Sequence, residues 1–151
     1  MEEPARVSEG SRPQSGRPTG NTGEDDMPLI TPAADAYHAI AAVKPGVAGS
    51  ELHKISCDVF EEHGYPTLRS KEPGEVLQDG FYHSLGHGVG LEVHEEPTLG
   101  RAPGELVAGD VIAVEPGLYR NGYGGCRLED LVLVTDDGGE VLTDYPYDLE
   151  P

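Results

Sequence analysis

The chain has 151 residues, 28 of them acidic and 10 basic, for a formal net charge of −18. That length suits one domain with a sizeable core, and that charge repels phosphate backbones and anionic lipid, which argues against nucleic-acid and membrane binding. Two cysteines, Cys57 and Cys126, cannot build a disulfide framework; with no signal peptide and no apolar run near the ~18 residues of a membrane span, the chain reads as soluble and cytoplasmic. Self-repulsion at this charge is relieved by salt, so a halophilic, salt-rich cytoplasm accounts for the excess of acid, and an ordinary acidic protein is the plainer alternative.

Residues 1–30 are dominated by Pro, Gly, Ser, Arg, Glu and Thr. They bury too little apolar surface to offset their ordering entropy, so they read as a disordered tail before a domain at 31–151. Ala33 to Val43 is alanine-rich, with Tyr37, Ile40, Ala41 and Lys44 at helical spacing, and Lys44-Pro45-Gly46 stops that helix. Ser50 is placed to cap a second helix whose Leu52, Ile55, Val59 and Phe60 form one apolar stripe, closed at His63-Gly64. Residues 66–80 read as a polar loop. Beyond it, apolar runs parted by Gly and Pro predict strands at 81–84, 91–94, 111–119 and 126–135. Asp136 to Gly139 forms a turn before a short strand at Glu140 to Thr143. Helices first and a largely antiparallel sheet after them define an α+β domain.

The chemistry concentrates in the second half. His83, His87 and His94 fall within a dozen residues, among Gly86, Gly88 and Gly90. Those glycines permit positive φ and close backbone approach, which suits a loop around an ion or substrate. Glu115 ends the run Val111 to Val114, and Glu129 lies inside an apolar run, where a lone carboxylate is costly unless a cation meets it. Strand alternation puts Arg127 and Glu129 on one face, so Arg127 either orients a carboxylate or makes a plain surface pair. One imidazole and two carboxylates, His87, Glu115 and Glu129, make a mainly oxygen site that suits manganese, cobalt or iron, with zinc also possible. The sequence has no phosphate-binding Gly-Lys-Ser/Thr loop and no Gly-x-Ser-x-Gly elbow, and the two cysteines read as packing residues.

Three motifs in order, His83 to Glu95, Val114-Glu115-Pro116-Gly117-Leu118-Tyr119 and Gly125-Cys126-Arg127-Leu128-Glu129-Asp130, resemble the C-terminal half of the pita-bread metallopeptidases. That family includes the Xaa-Pro aminopeptidases, the Xaa-Pro dipeptidases (prolidases) and the methionine aminopeptidases, and the wording here is nearer the proline-specific branch. The resemblance spans residues 33–145 and implies a truncated pita-bread (creatinase/aminopeptidase) fold, a partial catalytic domain over 31–151. It implies a divalent metal, manganese or cobalt first, with His87, Glu115 and Glu129 as ligands. His94 would polarise the scissile carbonyl and handle protons, His83 would line the substrate pocket, and Arg127 would assist catalysis. The substrate would be a peptide with proline in second position.

The family binds its two metals with two further aspartates on a hairpin before the first helix. Here that place holds Gly10 to Gly20, and Asp25, Asp26 and Asp35 lack strand residues around them. The expectation is therefore an incomplete metal site and impaired activity for this chain alone, with a non-catalytic remnant or a peptide- or protein-binding module as the alternative. Half of a pseudo-symmetric sheet would leave an open strand edge, which points to a homodimer, to aggregation or to dependence on salt.

Overall fold

The computed structural model describes residues 29–102 and 104–144, so most of the expected tail at 1–30 lies outside the described residues. Helix α1 spans Ile30–Tyr37, a 3₁₀ turn follows at His38–Ala42, and α2 spans Gly49–Glu62. Seven strands follow: β1 Gly86–Gly88, β2 Glu95–Leu99, β3 Val111–Val114, β4 Gly117–Arg120, β5 Gly124–Arg127, β6 Asp130–Val134 and β7 Gly139–Val141. Five of them form an antiparallel sheet in the order β2-β1-β3-β6-β7, and β4 and β5 form a separate antiparallel pair. The expected α+β arrangement, two helical segments and then a mostly antiparallel sheet, is what the chain adopts. No helix among the described residues is long and apolar enough to cross a membrane.

Several boundaries differ from the sequence reading, each for a local reason. The first helix does not run as one α-helix to Val43. The His38 N–H bonds to the Asp35 carbonyl and the Val43 N–H to the Ile40 carbonyl, three residues back, which tightens the segment into 3₁₀ geometry. Ser50 does not cap α2. Ala48 holds the N-cap position in extended conformation without a side-chain bond, and the helix begins at Gly49. Glycine is required there because a Cβ would stand 2.1 Å from the Thr98 carbonyl oxygen. Glu51 in the first turn complements the helix dipole instead.

The predicted strand at 81–84 is reduced to isolated bridges, Phe81 to Thr67 and Gly80 to Tyr119. Residues 91–94 are bends, and the strand lies just after them at β2. The single runs at 111–119 and 126–135 are each two strands, broken at Glu115-Pro116 and at Leu128-Glu129. Pro116 offers no N–H to continue a ladder, and the chain changes sheets at that point.

The core lies between α1, α2 and the inner face of the sheet. Leu52, Cys57 and Phe60 of α2 are fully buried with Phe81, Leu85, Leu99, Ile112, Leu118, Val132 and Val134. Each such side chain contributes roughly 1.5–3 kcal/mol relative to exposure. Both cysteines are free, Cys57 buried and Cys126 half-buried, and burial pushes both thiols up, in keeping with packing roles. The sheet's other face carries the polar cluster described next.

Candidate metal centre

Strand β1 is the centre of the site, and its glycines are there for space rather than for φ. None of Gly86, Gly88 or Gly90 has positive φ. β1 is wedged between β3 and β2: a Cβ on Gly86 would fall 1.8 Å from the Ala113 carbonyl oxygen, and one on Gly88 2.2 Å from that of Glu96. His87, between them, pairs with Ala113 and presents its ring to the opposite side. A cavity of about 370 Å³ opens there, lined by His83, His87, His94, Thr98, Glu115 and Arg127.

Each ring has a defined hydrogen-bond partner. The His87 Nδ1–H donates to the Gly88 carbonyl at 2.9 Å. A carbonyl only accepts, so Nδ1 carries a proton and Nε2 is the nitrogen turned into the cavity. That Nε2 stands 3.7 Å from Oε1 of Glu115. His94 packs edge-on against His87, with ring centroids 4.5 Å apart. The His83 Nδ1–H donates to the Ser84 carbonyl at 2.7 Å, which leaves its Nε2 to accept from the Tyr119 hydroxyl at 3.1 Å. Burial pushes the Tyr119 phenol up, so it stays a donor at neutral pH. Glycine at 117 makes room for this pair, since a Cβ would lie 2.7 Å from the Tyr119 Oη and 2.8 Å from the His83 Nε2.

The carboxylates come from the two strand breaks. The Glu115 N–H bonds to the Leu85 carbonyl at 2.7 Å, and the Leu128 N–H to that of Pro116 at 3.2 Å, which fixes both breaks against their neighbours. Arg127, at the end of β5, reaches across both: one guanidinium nitrogen is 3.5 Å from Oε2 of Glu115 and another 3.3 Å from Oε2 of Glu129. The expected strand alternation of Arg127 and Glu129 fails, because Leu128-Glu129 belongs to no strand. Glu115 is 14% exposed and faces the cavity, whereas Glu129 is 43% exposed and turned to the guanidinium.

The structure thus gathers His83, His87, His94, Glu115 and Arg127 around one space, with Glu129 tied to it through Arg127. Among the described residues no group of three His, Cys, Asp or Glu side chains forms a cluster able to hold a metal. Two side chains do converge, the His87 Nε2 and a Glu115 carboxylate oxygen at 3.7 Å, an imidazole–carboxylate pair of the kind that binds divalent cations. The buried Thr98 Oγ1 at the cavity wall also lacks a partner. This oxygen-and-imidazole chemistry fits a hard or borderline divalent ion.

Sequence reasoning did not assign roles to Tyr119, Thr98 or the buried Asp130. The phenol of Tyr119 was legible in its motif, but its partner was not. Asp130 accepts hydrogen bonds from the hydroxyls of Tyr37 and Thr143, distant in sequence, and is 3% exposed.

Comparison with known proteins agrees with the resemblance. Residues 28–136 match the profile of metallopeptidase family M24. The chain is 42% identical over 106 residues to an Xaa-Pro dipeptidase of Pyrococcus furiosus, covering 70% of this chain and 27% of that protein. In structure it resembles the prolidase from Pyrococcus furiosus (TM-score 0.69, 36% identity, 84% of this chain and 35% of that one). It also resembles an X-Pro aminopeptidase from Thermotoga maritima (TM-score 0.67, 34% identity, 78% and 31%). The helices and antiparallel sheet match part of the pita-bread fold of these prolidases, and the chain spans about a quarter of the length of the curated dipeptidase, at 27%.

Proposed function

The chain belongs to metallopeptidase family M24, and on that premise we propose that it forms the histidine–carboxylate wall of a peptidase site for substrates with proline in second position. The observation that carries this reading is the His87 Nε2 facing Glu115 Oε1 at 3.7 Å while the Nδ1–H is anchored on Gly88. A divalent cation held by His87, Glu115 and Glu129, manganese or cobalt first and zinc or iron next, would supply a Lewis acid and lower the pKa of a coordinated water. Arg127 fixes the orientation of both carboxylates. His94, against His87, is the group to hold a proton near the peptide carbonyl. His83 and Tyr119 hold each other rigid on the substrate side of the cavity. The proline preference rests on the names of the relatives in Pyrococcus furiosus and Thermotoga maritima.

In this reading the two further aspartates of the family's site come from another polypeptide. The acidic surface suits a salt-rich cytoplasm. The second reading, a peptide- or protein-binding module without catalysis, is favoured by Arg127, whose guanidinium already neutralises both carboxylates. Calorimetric titration of the purified chain with Mn²⁺ or Co²⁺ separates the two. Binding lost in His87→Ala supports the metal site, and no binding by the wild-type chain leaves the module. Turnover of an Xaa-Pro dipeptide, measured alongside, tests the chemistry directly.

A further inference from the structure

Cations are scarce on this chain, yet four of those among the described residues meet at one place. Lys54, Arg69, Lys71 and Arg101 line a cavity of about 510 Å³; the other three, Lys44, Arg120 and Arg127, lie elsewhere. The cavity is formed by α2, the 66–80 loop and the turn after β2. It is separate from the histidine–carboxylate site: the ring of Phe81 lies between them, its centroid 5.3 Å from that of His53 on one side and 4.9 Å from that of His83 on the other.

Two of the four cations are already neutralised. Arg69 pairs with Asp58 at 2.5 Å and with Glu61, and Lys54 pairs with Asp58 at 2.8 Å. The other two are not. Arg101 donates only to the Leu68 carbonyl, and Lys71 donates to the Glu75 carbonyl at 2.6 Å; neither has a carboxylate partner among the described residues. Beside them His53 is 7% exposed, with an Nδ1 that is buried and unpartnered. Burial, and then the charge of Arg101, push His53 down to about 4, so its ring is neutral at pH 7. On a surface of net charge −18, two unpaired cations beside an orphaned ring nitrogen are an unbalanced arrangement that an anion completes. Glu72 is the single acid on the lining, while Leu68 and Pro73 give it apolar wall.

We propose that this cavity binds a small organic anion: a carboxylate or phosphate head held by Arg101 and Lys71, on an apolar body seated against Leu68 and Pro73. Arg101 supplies a planar fork suited to either oxyanion, and Lys71 a point charge. Calorimetry of the whole chain at low salt, with phenyl phosphate and benzoate as probes and benzyl alcohol as the uncharged control, tests this. Saturable one-to-one binding of at least one anion is expected, weakened about tenfold in each of Arg101→Gln and Lys71→Gln. It should be unchanged in His87→Ala, which keeps the result independent of the metal-site reading. Arg101 is exposed and Lys71 half-buried, so neither variant threatens the fold. The proposal is overturned if neither anion binds saturably, if both variants bind as tightly as the wild-type chain, or if benzyl alcohol binds as well. Which anion binds more tightly identifies the head group.

Discussion

Glu115 and Glu129 occupy facing gaps in two neighbouring strand pairs. The β3–β6 ladder ends at Val114 opposite Asp130, and the β4–β5 ladder begins at Gly117 opposite Arg127. Between them, Glu115-Pro116 on one side and Leu128-Glu129 on the other are free of strand pairing. Side chains in such a gap escape the up-down alternation of a strand. That freedom is what lets both carboxylates approach the single guanidinium of Arg127.

The first prediction concerns this gap. His87→Ala should abolish Mn²⁺ binding by the chain, and Glu129→Gln, which keeps the side chain's size but removes its charge, should weaken it about 10–100-fold. Calorimetric titration of the three proteins reads this out. Equal affinity in wild type and Glu129→Gln would remove Glu129 from the ligand set while leaving His87 and Glu115 in question.

A second prediction addresses β1. Gly86→Ala places a methyl group where the Ala113 carbonyl oxygen is 1.8 Å away, and Gly88→Ala places one 2.2 Å from that of Glu96. The clash is with backbone, so the sheet itself must open. Each variant should lose about 3 kcal/mol or fail to fold. Gly104→Ala, with nothing within 4 Å of its Cβ, is the control and should change stability by less than about 0.5 kcal/mol. Urea denaturation of the set measures the difference.

These glycines show which features the sequence made legible. The motif carrying His83, Gly86, His87 and Gly88 was visible as a functional run, because such a density of His and Gly has no core-packing explanation. Its mechanism was half visible: close approach, not positive φ, is the reason for glycine, and only the neighbours' carbonyls reveal it. The order of elements followed from apolar periodicity. The strand breaks did not, because Leu118 is buried as fully as Ile112 and hydrophobicity runs through the change of sheet. The grouping of His83 with Tyr119 and of Asp130 with Tyr37 depends on tertiary contact and leaves no local signal.

Asp130 supports a third prediction. Its carboxylate is buried and accepts from the Tyr37 and Thr143 hydroxyls, so it joins α1, β6 and the segment after β7. Asp130→Ala leaves those hydroxyls without their acceptor and should cost about 2–3 kcal/mol, since hydrogen bonds to a charged group are the stronger kind. Tyr37→Phe alone should cost less. A double-mutant cycle between the two should give a coupling above about 0.5 kcal/mol; a coupling near zero would show that the Tyr37–Asp130 bond contributes nothing to stability.

The fourth prediction is a pH dependence centred on His53. Burial first, and the charge of Arg101 next, lower it from 6.5 to about 4 in the folded chain. In the unfolded chain the same ring takes up a proton near 6.5, so between these values the unfolded state binds more protons than the folded one. Stability contributed by the neutral ring is therefore fully present above pH 6.5 and is lost as pH falls towards 4, with a slope of at most about 1.4 kcal/mol per pH unit. His53 is buried against Phe81 and beside the Cys57 sulfur, and the charges of Arg101 and Arg69 both oppose its protonation. Replacing it with leucine keeps most of the volume and removes the titration. Urea denaturation at pH 7 and at pH 5 should show His53→Leu losing less stability than wild type across that interval. Parallel losses in the two proteins would assign the acid sensitivity to other groups that titrate between pH 7 and 5. The carboxylates of Asp58 and Glu61 stay outside this window. Bonds to Lys54 and Arg69 hold Asp58 below its ordinary 3.8, and Glu61, against the opposing effect of burial, is held below its ordinary 4.5 by bonds to Arg69 and Thr67. Their stabilisation therefore persists at pH 5 and is lost only as pH falls below those values.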